Sequence, residues 1–211
     1  MRLALFDFDG TLCRVNSWHV LLRWLLRERR PASLKLGLAL AARQARLISS
    51  ESLKNVALAR FRDGSRDELE VLGRQIYENH LRPEVIPAAL ATLQRHRTDG
   101  FRVVVISGAF DFLLEPFCRE HGLVDRVGTE IAWDGDRCRG RLGGPEMRAE
   151  EKVRFLQRHF AATAVDWSAS VAYSDELTDL PMLRCVGNGF VVGGRIPRSA
   201  TLPAGLRWGS W

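Results

Sequence analysis

Two carboxylates separated by a single residue follow the first apolar segment of the chain. Asp7 and Asp9 come directly after the run from Arg2 to Phe6, which has the pattern of a short buried strand. At such a position one carboxylate can attack an electrophile while the other protonates the leaving group and then activates water. Gly10 allows a close turn of the backbone, and Thr11 supplies a hydroxyl and an N–H. The pair therefore predicts covalent catalysis by a carboxylate.

Polar residues farther along the chain supply what the cleavage of a phosphate ester requires. Ser107 and Gly108 follow an apolar strand pattern and can donate hydrogen bonds to phosphoryl oxygens. Lys152, one of three lysines in an arginine-rich chain, can offset negative charge. Asp175 and Asp179 follow another short strand pattern and add carboxylates for a metal. An anionic nucleophile and a phosphate repel each other, so a cation is needed, and Mg²⁺ suits this role because it prefers oxygen ligands.

In this order, the four segments resemble the signature motifs of the haloacid dehalogenase-like phosphatases. Asp7-Phe8-Asp9-Gly10-Thr11-Leu12 matches the first motif, Ser107-Gly108 the second, Lys152 the third, and the segment from Tyr173 to Leu183 the fourth. The resemblance extends from Arg2 to about Val192. An isolated pair of aspartates would be weak evidence, whereas four motifs in the family's order are specific.

The resemblance implies catalytic and metal-binding roles. Asp7 would be the nucleophile and a metal ligand, and Asp9 would be the general acid and base, with its backbone carbonyl on the metal. Asp175 would complete the protein ligands, and Asp179 would orient the groups around the metal. The expected cofactor is Mg²⁺, held by Asp7, Asp9, Asp175 and Asp179. The expected catalytic residues are Asp7, Asp9 and Lys152.

The resemblance also implies a substrate-binding set. Ser107 and Lys152 would bind the phosphoryl group, and Lys152 would in addition hold Asp7. Four further residues are expected to contact the substrate: Gly10, Thr11, Asn16 and Gly108. Asn16 stands where phosphoserine phosphatases have a glutamate that pairs with the substrate ammonium, which argues against phosphoserine. In the fourth motif, Glu176-Leu177-Thr178 replaces the usual Gly-x-Asn, so contacts near the phosphate are expected to differ.

Alternating strand and helix patterns position these residues. Strand patterns at Arg102–Ile106, Ser170–Tyr173 and Gly189–Val192 are separated by helical patterns. Such alternation predicts an α/β fold with a Rossmann-like parallel sheet, in which polar residues meet beyond the carboxyl ends of the strands. A hairpin with strands Arg126–Trp133 and Cys138–Leu142 is also predicted.

Residues 15–82 have helical patterns throughout and predict an all-helical insert after the first strand. The insert resembles the small cap of the phosphoserine phosphatase-like branch, which also includes phosphatidylglycerophosphate phosphatases with basic, apolar cap helices. Residues 1–14 and 83–211 would then form the catalytic core. Such a cap closes over the site, excludes water and contacts the leaving group of the substrate.

The helical insert is strongly basic. The whole chain has a formal charge of +6, and residues 12–62 contain eleven Lys or Arg against two acids. This charge is compatible with a solvated helix face or with an anionic partner. The stripe formed by Trp18, Leu21, Leu22, Trp24 and Leu25 either packs inside the cap or lies at a membrane interface. In the second case, four cations would meet lipid headgroups: Arg27, Arg29, Arg30 and Lys35.

The preferred interpretation is a magnesium-dependent phosphomonoester hydrolase. Its substrate would be a small soluble phosphate ester or a phospholipid headgroup such as that of phosphatidylglycerophosphate. A non-catalytic phosphate-binding or nucleic-acid-binding module is the alternative from another class, and clustered acids argue against it, so no nucleic acid partner is expected. Four widely spaced cysteines and the short apolar run at the N-terminus predict a cytoplasmic protein, with peripheral contact at the inner membrane surface as the alternative.

Overall fold

The computed structural model describes residues 1–27, 31–193 and 201–209. The strands are β1 Leu3–Phe6, β2 Arg102–Phe110, β3 Asp125–Thr129, β4 Ile131–Asp134, β5 Arg137–Leu142, β6 Val171–Ser174, β7 Asn188–Val191 and β8 Leu206–Trp208. The α-helices are α1 Ser17–Arg27, α2 Pro31–Gln44, α3 Ser50–Leu58, α4 Arg66–Ile76, α5 Pro87–Thr98, α6 Asp111–Glu120, α7 Glu150–His159 and α8 Leu180–Arg184. The order of strands and helices is that of an α/β fold.

Six of the strands form one sheet in the order β3-β2-β1-β6-β7-β8. All five neighbouring pairs are parallel, as the alternation of strands and helices predicted. The central strand β1 has no exposed residue, and it is hydrogen-bonded to β2 on one side and to β6 on the other. A parallel strand covered on both faces needs a continuous apolar sequence, which Leu3 to Phe6 supplies.

Side chains of β1 alternate between two apolar clusters, one on each face of the sheet. Leu3 and Leu5 pack with α7 and α8, whereas Ala4 and Phe6 face the cluster that includes α1, α3 and α4. The stripe predicted on α1 belongs to this second cluster, because Leu21 and Leu25 are almost fully buried and Trp18 and Trp24 are partly buried against it. The stripe therefore packs inside the protein, and its alternative placement at a membrane interface is wrong.

The described part of residues 15–82 consists of α1 to α4 with short 3₁₀ and π turns, and no named strand lies in it. This agrees with the predicted all-helical insert after the first strand. The division into a cap of residues 15–82 and a core of residues 1–14 and 83–211 stays a prediction. Helix α3 packs against β5, α4 against α6 and α1 against β2, so the insert contacts the rest of the protein at several elements. Arg29, Arg30 and Trp211 lie outside the described residues.

The chain enters and leaves this helical insert at adjacent points. The N–H of Arg14 donates to the Glu84 carbonyl at 2.9 Å, and the N–H of Ile86 donates to the Leu12 carbonyl, also at 2.9 Å. Cys13 and Val85 form an antiparallel bridge between these two hydrogen bonds. The two connections are thus tied side by side a few residues beyond Asp9.

The structure corrects two details of the predicted strands. The segment predicted as one hairpin strand, Arg126–Trp133, is divided: Asp125–Thr129 joins the main sheet beside β2, and only Ile131–Asp134 pairs with β5. Both halves have strand propensity, and propensity does not reveal the change of partner at Glu130. Strand β2 also continues past Ile106 to Phe110, with a register shift against β3 between those two residues.

Candidate active site

Three of the predicted site residues, Asp7, Ser107 and Asp175, lie at the carboxyl ends of the three central strands. Asp7 is the first residue after β1, and its N–H donates to the Tyr173 carbonyl of β6 at 3.0 Å. Asp175 directly follows β6, and Ser107 lies in the irregular part of β2. Because β1 pairs with both of these strands, residues far apart in sequence meet at one edge of the sheet.

A tight turn after β1 brings the first motif against the fourth. The Phe8 carbonyl accepts hydrogen bonds from three successive N–H groups, those of Thr11, Leu12 and Cys13. Gly10 adopts a φ of 82°, and a Cβ atom placed on it would overlap Oδ2 of Asp175. The Thr11 hydroxyl donates to Asp175 Oδ1 at 3.3 Å and accepts from the Asp175 N–H at 3.0 Å. Gly10 and Thr11 therefore position the Asp175 carboxylate.

Lys152 joins the nucleophile candidate to the last aspartate of the fourth motif. Its ammonium lies 2.9 Å from Oδ1 of Asp7 and 2.7 Å from Oδ2 of Asp179. All three side chains are buried, with Lys152 only 1% exposed. The Ser174 hydroxyl also donates to Asp179 Oδ2, at 2.7 Å. Helix α7 thus projects a cation to the floor of the site from outside the three strand ends, and this orients Asp7.

Asp9 lies at the N-terminus of α1. The N–H of Ser17 donates to its Oδ1 at 2.9 Å, and the Ser17 hydroxyl donates to its Oδ2 at 3.0 Å. The first N–H groups of a helix have no partner within the helix, so a carboxylate is a favourable acceptor there. Asp9 is also buried, with 8% of its surface exposed. The helical insert therefore provides the hydrogen bonds that orient Asp9.

Burial determines how these groups hold protons. It raises the pKa of Asp9 to about 7, with a smaller contribution from the Asp7 charge, against the lowering effect of the two Ser17 hydrogen bonds. Burial also raises the pKa of Asp7, although the Lys152 ammonium opposes the change. Burial alone would lower the pKa of Lys152, but the charges of Asp7 and Asp179 outweigh it and raise that pKa. Lys152 therefore stays protonated, while Asp9 is able to exchange a proton near neutral pH.

A cavity of about 570 Å³ opens above these groups. Seven of the predicted site residues line it: Asp7, Asp9, Asn16, Ser107, Gly108, Lys152 and Asp179. Gly10, Thr11 and Asp175 do not line it and lie beside its floor. The Asn16 side chain has a second contact, since its Oδ1 accepts a hydrogen bond from the His19 N–H at 3.0 Å in the first turn of α1. Asn16 thus caps a helix as well as facing the cavity.

Several cavity residues were not among the predicted site residues. Lys54 from α3 and Glu146 form a buried ion pair at 3.0 Å, and the Arg148 guanidinium lies 3.4 Å from the Glu176 carboxylate. In sequence, Lys54 was one cation among the eleven of the insert, and nothing set Glu146 apart. Ser17 carried a signal, because a serine that begins a helix directly after Asn16 is a ready donor to a nearby carboxylate.

Comparisons with known proteins agree with the predicted family and fold. A family model described as haloacid dehalogenase-like hydrolase matches residues 4–184. A histidinol-phosphatase from Neisseria meningitidis is 26% identical over 206 residues, which cover 90% of this chain and 89% of that protein. A Bordetella pertussis protein of unknown function has a similar solved structure, with a TM-score of 0.78, 25% identity, and coverage of 90% and 89% of the two chains. A substrate-bound phosphoserine phosphatase shares the fold, with a TM-score of 0.63, 18% identity, and coverage of 90% and 85%.

Proposed function

Since the chain belongs to the haloacid dehalogenase-like hydrolase family and is a phosphatase, we propose that it cleaves phosphate monoesters through a phosphoryl group held on Asp7. One observation carries this proposal. Asp7 lies on the floor of the cavity with one oxygen 2.9 Å from the buried Lys152 ammonium, and Asp9 faces the same cavity with a pKa near 7. A fixed nucleophile and a group able to exchange protons are the two parts that the reaction needs.

In the first half-reaction, a carboxylate oxygen of Asp7 forms a bond to phosphorus while the bond from phosphorus to the leaving oxygen breaks. Asp9 donates its proton to that oxygen, which leaves as an alcohol. In the second half-reaction, Asp9 takes a proton from water, the water oxygen attacks phosphorus, and the Asp7 carboxylate is released with orthophosphate. Lys152 holds Asp7 in place, and Ser107 with the Gly108 N–H would donate hydrogen bonds to the phosphoryl oxygens.

The donor set fits Mg²⁺ by its chemistry. Asp7, Asp175 and the backbone carbonyl of Asp9 would hold the ion, and Asp179 would orient the surrounding groups. Four carboxylates of the site are buried, those of Asp7, Asp9, Asp175 and Asp179, and the Lys152 ammonium contacts two of them, Asp7 and Asp179. Among the residues that the structure describes, no three acidic, His or Cys side chains already converge as a metal site. Mg²⁺ commonly uses only one or two carboxylates with water and substrate phosphate, and when bound it would offset the charge of the transferring phosphoryl group.

We propose a small phosphate ester as the substrate. The cavity volume of about 570 Å³ leaves room for a leaving group beyond the phosphate. Its lining combines apolar residues, Leu22, Leu40 and Leu53, with two exposed cations, Arg43 and Arg46. Asn16 has no charge with which to pair an ammonium, and the buried acid Glu146 is already paired with Lys54. A leaving group that is neutral or anionic therefore suits this cavity better than a cationic one.

A phospholipid headgroup is the second candidate, because one surface of the insert is both apolar and basic. Leu34 and Leu38 on α2 and Leu47 just beyond it are 70%, 64% and 77% exposed. Lys35 lies on the same helix, and residues 31–47 contain no acid. This surface adjoins the cavity at Arg43 and Arg46. Among the described residues, none of the helices combines the length and the apolar character that crossing a bilayer requires.

Phosphate release from a panel of monoesters tests the proposal. Wild-type protein should release phosphate with Mg²⁺ and stop when a chelator removes it, and Asp7→Asn should abolish turnover. Asp136→Asn makes the same chemical change in the exposed hairpin turn and should leave the rate unchanged. Turnover by folded Asp7→Asn protein at the wild-type rate would contradict the proposed nucleophile.

Co-sedimentation with phosphatidylglycerol vesicles separates the two substrate candidates. A lipid substrate requires binding at low salt that weakens in a Leu34→Ser, Leu38→Ser, Leu47→Ser variant, together with phosphate release from phosphatidylglycerophosphate. Val124→Ser is the control, because Val124 is 89% exposed on another part of the surface. Absence of vesicle binding, with turnover of soluble esters, would remove the lipid candidate.

A further inference from the structure

Two of the three lysines of this chain are buried, and both lie at the cavity. Lys152 contacts Asp7, as described above. Lys54 reaches from α3 in the helical insert to the other side of the site, where its ammonium donates to the Gly108 carbonyl at 2.9 Å. Only 4% of Lys54 is exposed, and the Phe110 ring lies 5.3 Å from its ammonium. A cation in such a weakly polar setting interacts more strongly with a carbonyl than it would in water.

Glu146 holds Lys54 in this place. Its Oε2 lies 3.0 Å from the Lys54 ammonium, and 8% of the residue is exposed. Neither carboxylate oxygen of Glu146 has a hydrogen-bond partner among the residues that the structure describes, so its contact with Lys54 is an ion pair. A buried carboxylate without a cationic partner destabilises the folded protein. The partner of Glu146 is Lys54, and Glu146 in turn fixes the position of the Lys54 ammonium.

The peptide that Lys54 contacts is the one that orients Ser107. The Gly108 carbonyl belongs to the Gly108–Ala109 peptide, and the N–H of this same peptide donates to Ser107 Oγ at 3.3 Å. Because the Ala109 N–H donates to Ser107 Oγ, the hydroxyl proton of Ser107 is directed away from this peptide. Within the described part of the chain, that proton has no acceptor. A cation on the carbonyl polarises the peptide and makes its N–H a stronger donor. Ser107 thereby presents its proton to the cavity.

We propose that Lys54 is a positioning residue for phosphate binding, acting through the Gly108–Ala109 peptide to aim the Ser107 hydroxyl at the phosphoryl group, and that Glu146 fixes Lys54 for this purpose. The inference rests on the proposed phosphatase reaction. It also gives the helical insert a direct part in assembling the phosphate site, since the cation comes from α3. Thr129 contributes a second donor to the same carbonyl at 2.9 Å, but it carries no charge.

Steady-state kinetics of Lys54 variants test the proposal in the full-length protein with Mg²⁺. Lys54→Met should lower kcat by about 10- to 100-fold, the range expected for loss of a hydrogen bond from a charged group, with a smaller change in KM. Lys54→Arg should recover part of the loss because it keeps the charge. Thr129→Val should have a smaller effect than Lys54→Met. Arg74→Met is the control, since Arg74 is an exposed cation on α4 of the same insert and does not line the cavity, and it should have wild-type kinetics.

A double variant distinguishes a loss of phosphate positioning from a loss of protein stability. Lys54→Met leaves Glu146 buried without a partner, whereas Lys54→Met combined with Glu146→Leu removes both charges and should recover thermal stability. The proposal requires that kcat stay low in this stable double variant. Wild-type kcat in the double variant would show that the pair serves stability alone, and it would overturn the proposal.

Two readouts independent of turnover separate this inference from the proposed function. In ¹⁵N NMR spectra, Lys54→Met should shift the Ala109 amide nitrogen, because its peptide carbonyl loses a charged donor, and Arg74→Met should not. Orthophosphate should also bind more weakly to Lys54→Met, by about tenfold. If the wild type cleaves no ester, the proposed reaction fails, yet these two measurements still apply. An unshifted Ala109 signal with unchanged orthophosphate affinity would refute the role of Lys54.

Discussion

Asp9 should make the metal-free protein less stable as the pH rises, and Asp9→Asn should remove this dependence. Burial raises the pKa of Asp9 from 3.8 to about 7 in the folded protein. Between these two values, the folded state binds a proton that the unfolded chain has released. The free energy of unfolding attributable to Asp9 therefore falls with pH across this window and is constant outside it.

The magnitude follows from the two pKa values. At about 1.4 kcal/mol for each unit of pKa, the change from pH 4 to pH 8 amounts to roughly 4 kcal/mol. Asparagine has the shape of aspartate and suits the local hydrogen bonds, because its carbonyl accepts from the Ser17 N–H and its NH₂ donates to the Ser17 hydroxyl. Asp9→Asn should match the wild type at pH 4 and exceed its stability by up to about 4 kcal/mol at pH 8.

Urea unfolding at pH 4.5, 6 and 8 in the presence of a chelator measures the effect, and the quantity of interest is the difference between variant and wild type. Asp136→Asn serves as the control, since it makes the same chemical change at an exposed position in the hairpin turn. Parallel stability curves for the wild type and Asp9→Asn from pH 4.5 to 8 would refute the reasoning. They would show that the carboxylate of Asp9 is hydrated or neutralised in the folded protein.

Three further outcomes are expected. Gly10→Ala and Gly100→Ala both force alanine into a left-handed conformation, with φ values of 82° and 79°, and this alone should cost each about 1–2 kcal/mol in urea unfolding. Gly10→Ala should lose more stability than Gly100→Ala, because its Cβ would also overlap Asp175. Only Gly10→Ala should also reduce phosphate release, because its Cβ would overlap a buried carboxylate oxygen whereas that of Gly100 meets open space. Leu21→Ala should lower the free energy of unfolding by about 2–5 kcal/mol because Leu21 is 0% exposed, and Leu38→Ala, at a residue 64% exposed, should change it by less than about 0.5 kcal/mol. Asn16→Ala should lose about 1 kcal/mol of helix capping, whereas Asn16→Asp should retain it, so any rise in KM for Asn16→Asp reports on the substrate.

The sequence was most informative where a motif lies at the end of a strand. Asp7, Ser107 and Asp175 each follow an apolar segment, and the rule that parallel strands place their carboxyl ends together was enough to predict that these residues meet. The turn after β1 was also predictable, because a glycine with positive φ is a local property of the chain. The catalytic roles assigned to these residues stay predictions.

Other features depend on contacts that no local pattern encodes. The pairing of Lys54 with Glu146 joins α3 to a segment more than ninety residues later, and the sequence alone gives no reason to prefer it among eleven cations and many acids. The change of partner after Thr129 was missed for a similar reason. Strand propensity describes a half-buried extended segment, and it does not specify which neighbouring strand completes the hydrogen bonds.

The adjacent entry and exit of the helical insert have a consequence for how such enzymes diversify. A backbone hydrogen bond holds Leu12 and Ile86 together, so the residues between them form an insertion whose two ends are already adjacent. Doubling the length of a flexible loop costs only about 0.6 kcal/mol of closure entropy. Recombination or insertion between these two residues can therefore exchange the helical insert, while Asp7 and the sheet that carries it keep their register.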